Sequence, residues 1–226
     1  MQLPRLKLWI DGAEQPDSSR ELATILSPMT SRPIAEAVVA TAADLELAIG
    51  AAERVLPVMR ALPRHARRDL LVRIAAIVTA RRAELAAAIV NSCGKPVTQA
   101  LGEVDRAVTT FSLAADEARR FGGEVVPLDV DPRTAGMTGI VHRFPIGPIS
   151  AISPFNFPLN LLVHNIAPAI DVGSAVVVKP PPQCPQLAYL IGGILAAAWV
   201  PAGADHVLHV TTPLAERPAS EPRFAL

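Results

Sequence analysis

From Pro148 to the end of the chain one pattern dominates, and it leaves few folds open. The runs PISAIS, SAVVVK and DHVLHV, at 148–153, 174–179 and 205–210, are short and almost wholly apolar. Between them lie the longer stretches LNLLVHNIAPAI (159–170) and QLAYLIGGILAAAWV (186–200). A strand with one face in water alternates apolar and polar side chains, whereas a strand apolar on both faces must be covered on both sides. Such strands joined by helices make βαβ units, so the pattern predicts an α/β fold built on part of a parallel, Rossmann-like sheet. Half of the residues are hydrophobic but only 4% are aromatic, so the core has to be packed from Ala, Val, Leu and Ile.

The chain ahead of this pattern reads as a preamble to the sheet. Up to about residue 40, short β-rich runs alternate with turn pairs such as Asp11-Gly12 and Ser27-Pro28, a small strand and hairpin region. At Thr41 the period becomes helical, and Asp44 three residues on makes a capping box with Asp in place of Glu. Leu70, Leu71, Ile74, Ile77, Val78, Leu85 and Ile89 fall on one face of a single predicted helix, with arginines opposite. It ends at CGKP, where Gly94 can turn left-handed and Pro96 blocks continuation. A third helix is predicted over Val97–Arg120, closed by Arg119, Arg120 and the Gly122-Gly123 pair. Residues 123–145 then read as extended segments broken at Pro127, Asp131-Pro132 and Gly136.

Charge excludes several partners. Lys plus Arg equals Asp plus Glu, at 21 each, so no overall pull acts toward nucleic acid or an anionic membrane. Arg64, Arg67, Arg68, Arg73, Arg81 and Arg82 cluster without interleaved aromatics, which fits a solvated helix face rather than a nucleic-acid patch. The uncharged run from 144 to 170 is broken by five prolines, and the run 187–200 is short of the roughly 20 residues a spanning helix needs, so both read as buried core and no membrane is expected. MQLPRLKLWIDG lacks the apolar run of a secretory signal. Cys93 and Cys184, far apart and without metal-type spacing, fit a reduced cytoplasmic setting with no metal site.

In open α/β sheets ligands bind beyond the carboxyl ends of the strands. Two segments leave such ends here, ISPFNFP (152–158) and VVKPPPQ (177–183). Pro154 closes the first strand, and Pro158 has the fixed φ of a first helical turn. Asn156 between them reads in two ways. It caps the following helix, or its outward amide donates to a developing oxyanion, a role worth about 3–4 kcal/mol. Lys179 either holds a ribose hydroxyl or phosphate or is a surface lysine. There is no G-x-G-x-x-G, no P-loop and no H-E-x-x-H, so any dinucleotide would bind without the usual glycine fingerprint.

Taken together, FPIGPISAISPFNFPLNL, IAPAI and SAVVVKP resemble the N-terminal half of the aldehyde dehydrogenase superfamily. The upstream runs WIDGAEQP, ILSPMTSRPIAEA and LLVRIAAIVTARRAELAAAIVNSCGKPVTQALGEV agree in order, so the resemblance covers nearly the whole chain. It implies oxidation of an aldehyde to a carboxylic acid or acyl thioester with NAD or NADP, through a cysteine thiohemiacetal. Under it Asn156 is the oxyanion donor, Asn160 is helix structure, and Ile152, Ser153, Pro154 and Phe155 line the cofactor site. Lys179 contacts the adenosine ribose or its phosphate, on a segment that continues through Pro181 and Pro182. The resemblance also divides the chain into a helical part of the cofactor-binding domain (1–122), extended strands of the oligomerisation type (123–145) and an incomplete set of βαβ units (146–226), and it implies a homo-oligomeric parent. GEVVPLDVDP and the 143–161 segment resemble the branch of lactaldehyde, phosphonoacetaldehyde and non-phosphorylating glyceraldehyde-3-phosphate dehydrogenases. In that branch Arg106, which by itself reads as a solvated helical arginine, would meet a substrate anion.

Two departures stand out. Pro182 occupies the position where members carry an acid for the ribose hydroxyls, which permits a 2′-phosphate. The Gly-Ser-Thr turn, the glutamate base and the nucleophilic cysteine have no counterpart. Neither Cys93 nor Cys184 matches the nucleophile's context, and no sequence neighbour activates either thiol. The expectation is a fragment of an aldehyde dehydrogenase, inactive alone; the alternative is a non-catalytic remnant with a partial nucleotide site or an assembly surface. The family-like spacing of TTPLAERPASEPRFAL favours the first.

Overall fold

The computed structural model, which describes residues 3–225, begins with five short strands. These are β1 (Arg5–Leu6), β2 (Trp9–Ile10), β3 (Ala13–Glu14), β4 (Leu22–Leu26) and β5 (Pro33–Val38). Four helices follow: α1 (Ala42–Ala61), α2 (Arg64–Ala80), α3 (Arg82–Cys93) and α4 (Val97–Arg120). A ribbon of β6 (Gly123–Pro127) and β7 (Thr138–His142) separates them from β8 (Ile149–Ile152), α5 (Asn160–Val172), β9 (Val176–Lys179), α6 (Gln186–Ala197) and β10 (Asp205–Val207). The one-turn helices α7 (Thr212–Ala215) and α8 (Arg217–Ser220) come last.

The predicted parallel units form. β8, β9 and β10 are parallel neighbours, with Ile152 opposite Lys179 and Val178 opposite Val207. Val176, Val177, Val178 and all of β10 are buried, as strands covered on both faces must be. The full sheet has the order β3-β2-β10-β9-β8 and is mixed, because the β2–β3 hairpin adds antiparallel to β10 through Trp9 and Val207. Read from sequence, those N-terminal strands formed a separate region. They join the main sheet because the Trp9 indole packs on Gly192 of α6, where an added Cβ would come within 3.2 Å of the ring. The hairpin turn itself is the predicted Asp-Gly pair, with φ of 56° at Asp11 and 77° at Gly12. β1, β5 and β4 make a second, three-stranded sheet in that order.

The helices follow their sequence signals with one exception. Thr41 accepts from the Asp44 N–H at 3.3 Å while the Asp44 carboxylate accepts from the Thr41 N–H at 2.8 Å, completing the capping box. α4 spans Val97–Arg120 as predicted, and α3 ends at Gly94 with φ of 67°. The single helix expected through Leu70 and Ile89 is instead two, broken at Arg81 (φ −95°, ψ 17°). The Arg81 guanidinium makes paired bonds to Glu84, an acid in the first turn of α3 where the helix dipole favours it. The predicted apolar face survives the break, since Leu70, Leu71, Ile74, Val78, Leu85 and Ile89 are all buried. α4 packs against α2, α3 and α5 and so ties the helical preamble to the first crossover of the sheet. Among the described residues no helix is long and apolar enough to cross a membrane, and no cluster of His, Cys, Asp and Glu is placed to hold a metal.

Candidate active site

β8 stops at Ile152, and residues 153–159 lead from it to α5. Asn156 is exposed on this loop and makes no hydrogen bond to another described residue. The expectation that Pro158 opens the helix is not met: α5 starts at Asn160, with Leu159 at the cap position and no capping bond from its own loop. Glu103 of α4 does that work. Fully buried, it sets Oε1 at 2.9 Å from the Leu159 nitrogen and 3.2 Å from the Asn160 nitrogen. A carboxylate is favoured there by the helix dipole as well as by the two free N–H groups. The other carboxylate oxygen takes the Lys95 ammonium. The Lys95 Nζ lies 3.9 Å and the Arg106 Cζ 4.5 Å from the centre of the Phe157 ring. The loop is therefore held just past Asn156 without using the Asn156 amide. Sequence reading missed Glu103. The available signal was its place on the buried stripe Ala100, Glu103, Val104, Ala107, Phe111, where an acid has to find a partner.

Asn156 and Phe155 line a cleft of about 360 Å³ together with Cys93, Lys95, Gln183 and Cys184. The fold brings the two cysteines, distant in sequence, to the wall of this one cleft, close enough for each to shift the other's titration. Cys184 Sγ also lies 3.9 Å from the Phe155 carbonyl oxygen, and Ser92 Oγ 3.5 Å from Cys93 Sγ. The neighbouring Cys184 thiol, opposed by burial and helped by Ser92, brings the Cys93 thiol down to about 7, while Cys93 and burial push Cys184 up. The reading that no sequence neighbour activates either thiol is thus corrected at Ser92, and the larger influence, Cys184, is brought in by the tertiary fold.

On the far side of the loop, three strand ends converge. Lys179 is half-buried, its Nζ 3.3 Å from the Pro180 carbonyl, and burial pulls its pKa down. The Ser153 N–H donates to the Lys179 carbonyl at 3.0 Å, while the Ser153 Oγ is buried with no partner among the described residues. His209, two residues past β10, has a buried Nδ1 in the same condition, and burial followed by the Lys179 charge lowers its pKa. Buried polar atoms are normally paired, so this edge fits a polar ligand such as the ribose and phosphate groups of a dinucleotide. Ile152 and Phe155, both more than half exposed, add apolar surface beside it. Pro181 is buried and Pro182 exposed. Nothing in DHVLHV singled out His209. A wider groove of about 800 Å³, lined by Trp9, Asn91, Gln186 and Tyr189 among others, contains none of the predicted site residues.

An open α/β sheet with polar groups gathered at the carboxyl ends of its parallel strands is the architecture of nucleotide-binding domains. The chain belongs to the aldehyde dehydrogenase family, whose sequence model matches residues 15–223. The 3-sulfolactaldehyde dehydrogenase of Priestia aryabhattai is 31% identical over 207 residues, covering 92% of this chain and 43% of that protein. The crystal structure of aldehyde dehydrogenase 21 from Physcomitrella patens, in complex with its reaction product succinate, matches with a TM-score of 0.95 and 36% identity, over 99% of this chain and 47% of that one. An NADP-dependent enzyme of Escherichia coli matches with a TM-score of 0.92 and 28% identity, over 97% and 45%. The chain spans less than half the length of these relatives.

Proposed function

We propose that this chain is the cofactor-binding half of a cytoplasmic, homo-oligomeric, NAD(P)-dependent aldehyde dehydrogenase that oxidises a small hydroxylated or anionic aldehyde to its carboxylic acid. The observation that carries the reading is the uncommitted Asn156 amide at the end of β8, with Glu103 holding the next helix and Ser153, Lys179 and His209 at the adjacent edge. A bound nicotinamide supplies the hydride acceptor. Ile152, Ser153, Pro154, Phe155, Lys179, Pro181 and Pro182 line its site, with Lys179 on the ribose or its phosphate. Pro182 brings no negative charge, so a 2′-phosphate is tolerated. The Asn156 Nδ2–H donates to the aldehyde oxygen as that oxygen gains charge. The nucleophile and general base belong to the rest of a longer protein.

Arg106 is exposed on α4 with its guanidinium over Phe157, the residue after Asn156, which puts a bidentate anion-binding group beside the oxyanion donor. The substrate named for the Priestia relative, 3-sulfolactaldehyde, is both hydroxylated and anionic. The apolar, exposed β6–β7 ribbon supports assembly. Two free thiols lining one cleft fit a reducing compartment.

The test is kcat/KM of the longer protein for glyceraldehyde 3-phosphate and lactaldehyde against hexanal. Asn156→Ala should lower kcat by about 10²–10³ on every substrate. Arg106→Ala should cost about 2 kcal/mol on the phosphorylated aldehyde and almost nothing on hexanal. Equal losses on both would make Arg106 structural, and a preference for hexanal would refute the substrate class. Aldehyde-dependent NAD(P)H formation by the 226-residue chain alone would overturn the division of labour.

A further inference from the structure

Cys93 is the last residue of α3, and Cys184 sits in the turn between β9 and α6. Both line the cleft that also exposes Asn156, where each is near enough to shift the other's titration. Cys93 is partly open to solvent while Cys184 is buried behind it, an arrangement of one accessible and one shielded sulfur. Lys95 lines the same cleft and its cation favours a thiolate there, although its partner Glu103 opposes one more strongly. The negative end of α3 acts the other way, and the neighbouring Cys184 thiol offsets it. We propose that Cys93 and Cys184 form a peroxide-responsive dithiol, a redox modification site that closes reversibly into a disulfide across the cleft beside Asn156.

The chemistry balances with hydrogen peroxide as the oxidant. The Cys93 thiolate attacks one peroxide oxygen; an S–O bond forms, the O–O bond breaks, and hydroxide leaves. The Cys184 sulfur then attacks the Cys93 sulfur of the sulfenic acid; the S–S bond forms, the S–O bond breaks, and the departing hydroxide takes the Cys184 proton as water. The dithiol loses two electrons, peroxide gains them, and its two oxygens leave as water. A thiol or dithiothreitol reverses the change. Closing the disulfide removes the Cys184 donor from the Phe155 carbonyl, so the modification reaches the residue adjoining Asn156.

This site does not depend on the catalytic reading, and its test needs no turnover. The folded chain is treated with hydrogen peroxide, alkylated, and measured by intact mass and peptide mapping. Loss of two hydrogens (about 2 Da), with a cross-linked Cys93–Cys184 peptide that dithiothreitol dissolves, is the expected result. In denaturant the cross-link should form at least tenfold more slowly. Cys184→Ser should leave a Cys93 sulfenic acid that dimedone captures, and Cys93→Ser should leave Cys184 unreacted. A wild-type mass that only gains oxygen, a cross-link that joins separate chains, or closure as fast in denaturant would overturn the proposal. The wild-type measurement decides it even where a variant fails to fold.

Discussion

The β6–β7 ribbon and the β8–β10 strands are written in much the same residues and end in opposite environments. Val125 and Ile140, paired across the ribbon, are 69% and 66% exposed, whereas Val178 in β9 is 0% exposed. Both regions are extended, because β-branched side chains suit a pleated backbone in either place. What differs is coverage. α5 and α6 follow β8 and β9 and fold back over them, while β6 is joined to β7 by nothing longer than the Pro132–Thr134 turn. A run of Val and Ile thus specifies a strand, and its neighbours in the chain decide whether the strand is buried. An apolar strand pair left uncovered is a surface that has to be met from outside or that sticks.

The sharpest way to break this contrast is at Glu103, which binds the covered half together. Glu103→Ala leaves the Lys95 cation and two α5 N–H groups unpaired in the interior, so unfolding in denaturant should lose about 3–5 kcal/mol. Glu103→Gln, still able to accept from both N–H groups, should lose less. A cost below about 1 kcal/mol for the alanine would mean the loop carrying Asn156 is not held through α4.

A second test uses pH. Burial, partly offset by the nearby Trp9 side chain, pushes the Asp205 carboxyl up to about 7. Its folded pKa lies above its unfolded one, so its contribution is fully present below about pH 4 and is lost as pH rises through 7. Asp205→Asn should therefore match the wild type near pH 4 and exceed it by about 2–4 kcal/mol at pH 8. Burial holds His206 down to about 4, so its contribution is lost as pH falls from 6.5 toward 4. That opposite slope cancels when the two melting curves are subtracted. A difference independent of pH would show that the β10 carboxyl is not held protonated.

The smallest effect on stability, and the most informative one for the ribbon, comes from Val125→Lys combined with Ile140→Glu. The two positions face each other in register, so the new charges pair, and stability should stay within about 0.5 kcal/mol. Self-association measured by sedimentation velocity should fall sharply. Unchanged association would remove the ribbon from the list of contact surfaces and with it the physical basis offered for assembly.

Local chemistry determined a good deal of this protein in advance. The alternation after Pro148 fixed an α/β sheet, the period of 3.6 set α4 at Val97–Arg120, and Thr41 with Asp44, Gly94 and Asp11-Gly12 placed a cap, a helix end and a hairpin turn. Asn156 and Lys179 could be found at strand ends because prolines and the end of a valine run mark where strands stop. All these signals act over a few residues, where backbone sterics and side-chain periodicity suffice. Only the tertiary structure decided that Glu103, 56 positions away, would hold the start of α5, that the β2–β3 hairpin would extend the sheet from the other edge, and that Cys93 and Cys184 would line one cleft. Those contacts depend on how α4 packs against α5 and how α3 and the turn after β9 approach the same loop. No residue encodes that approach by itself, because burial energy is non-directional and the geometry follows from the packing of whole elements.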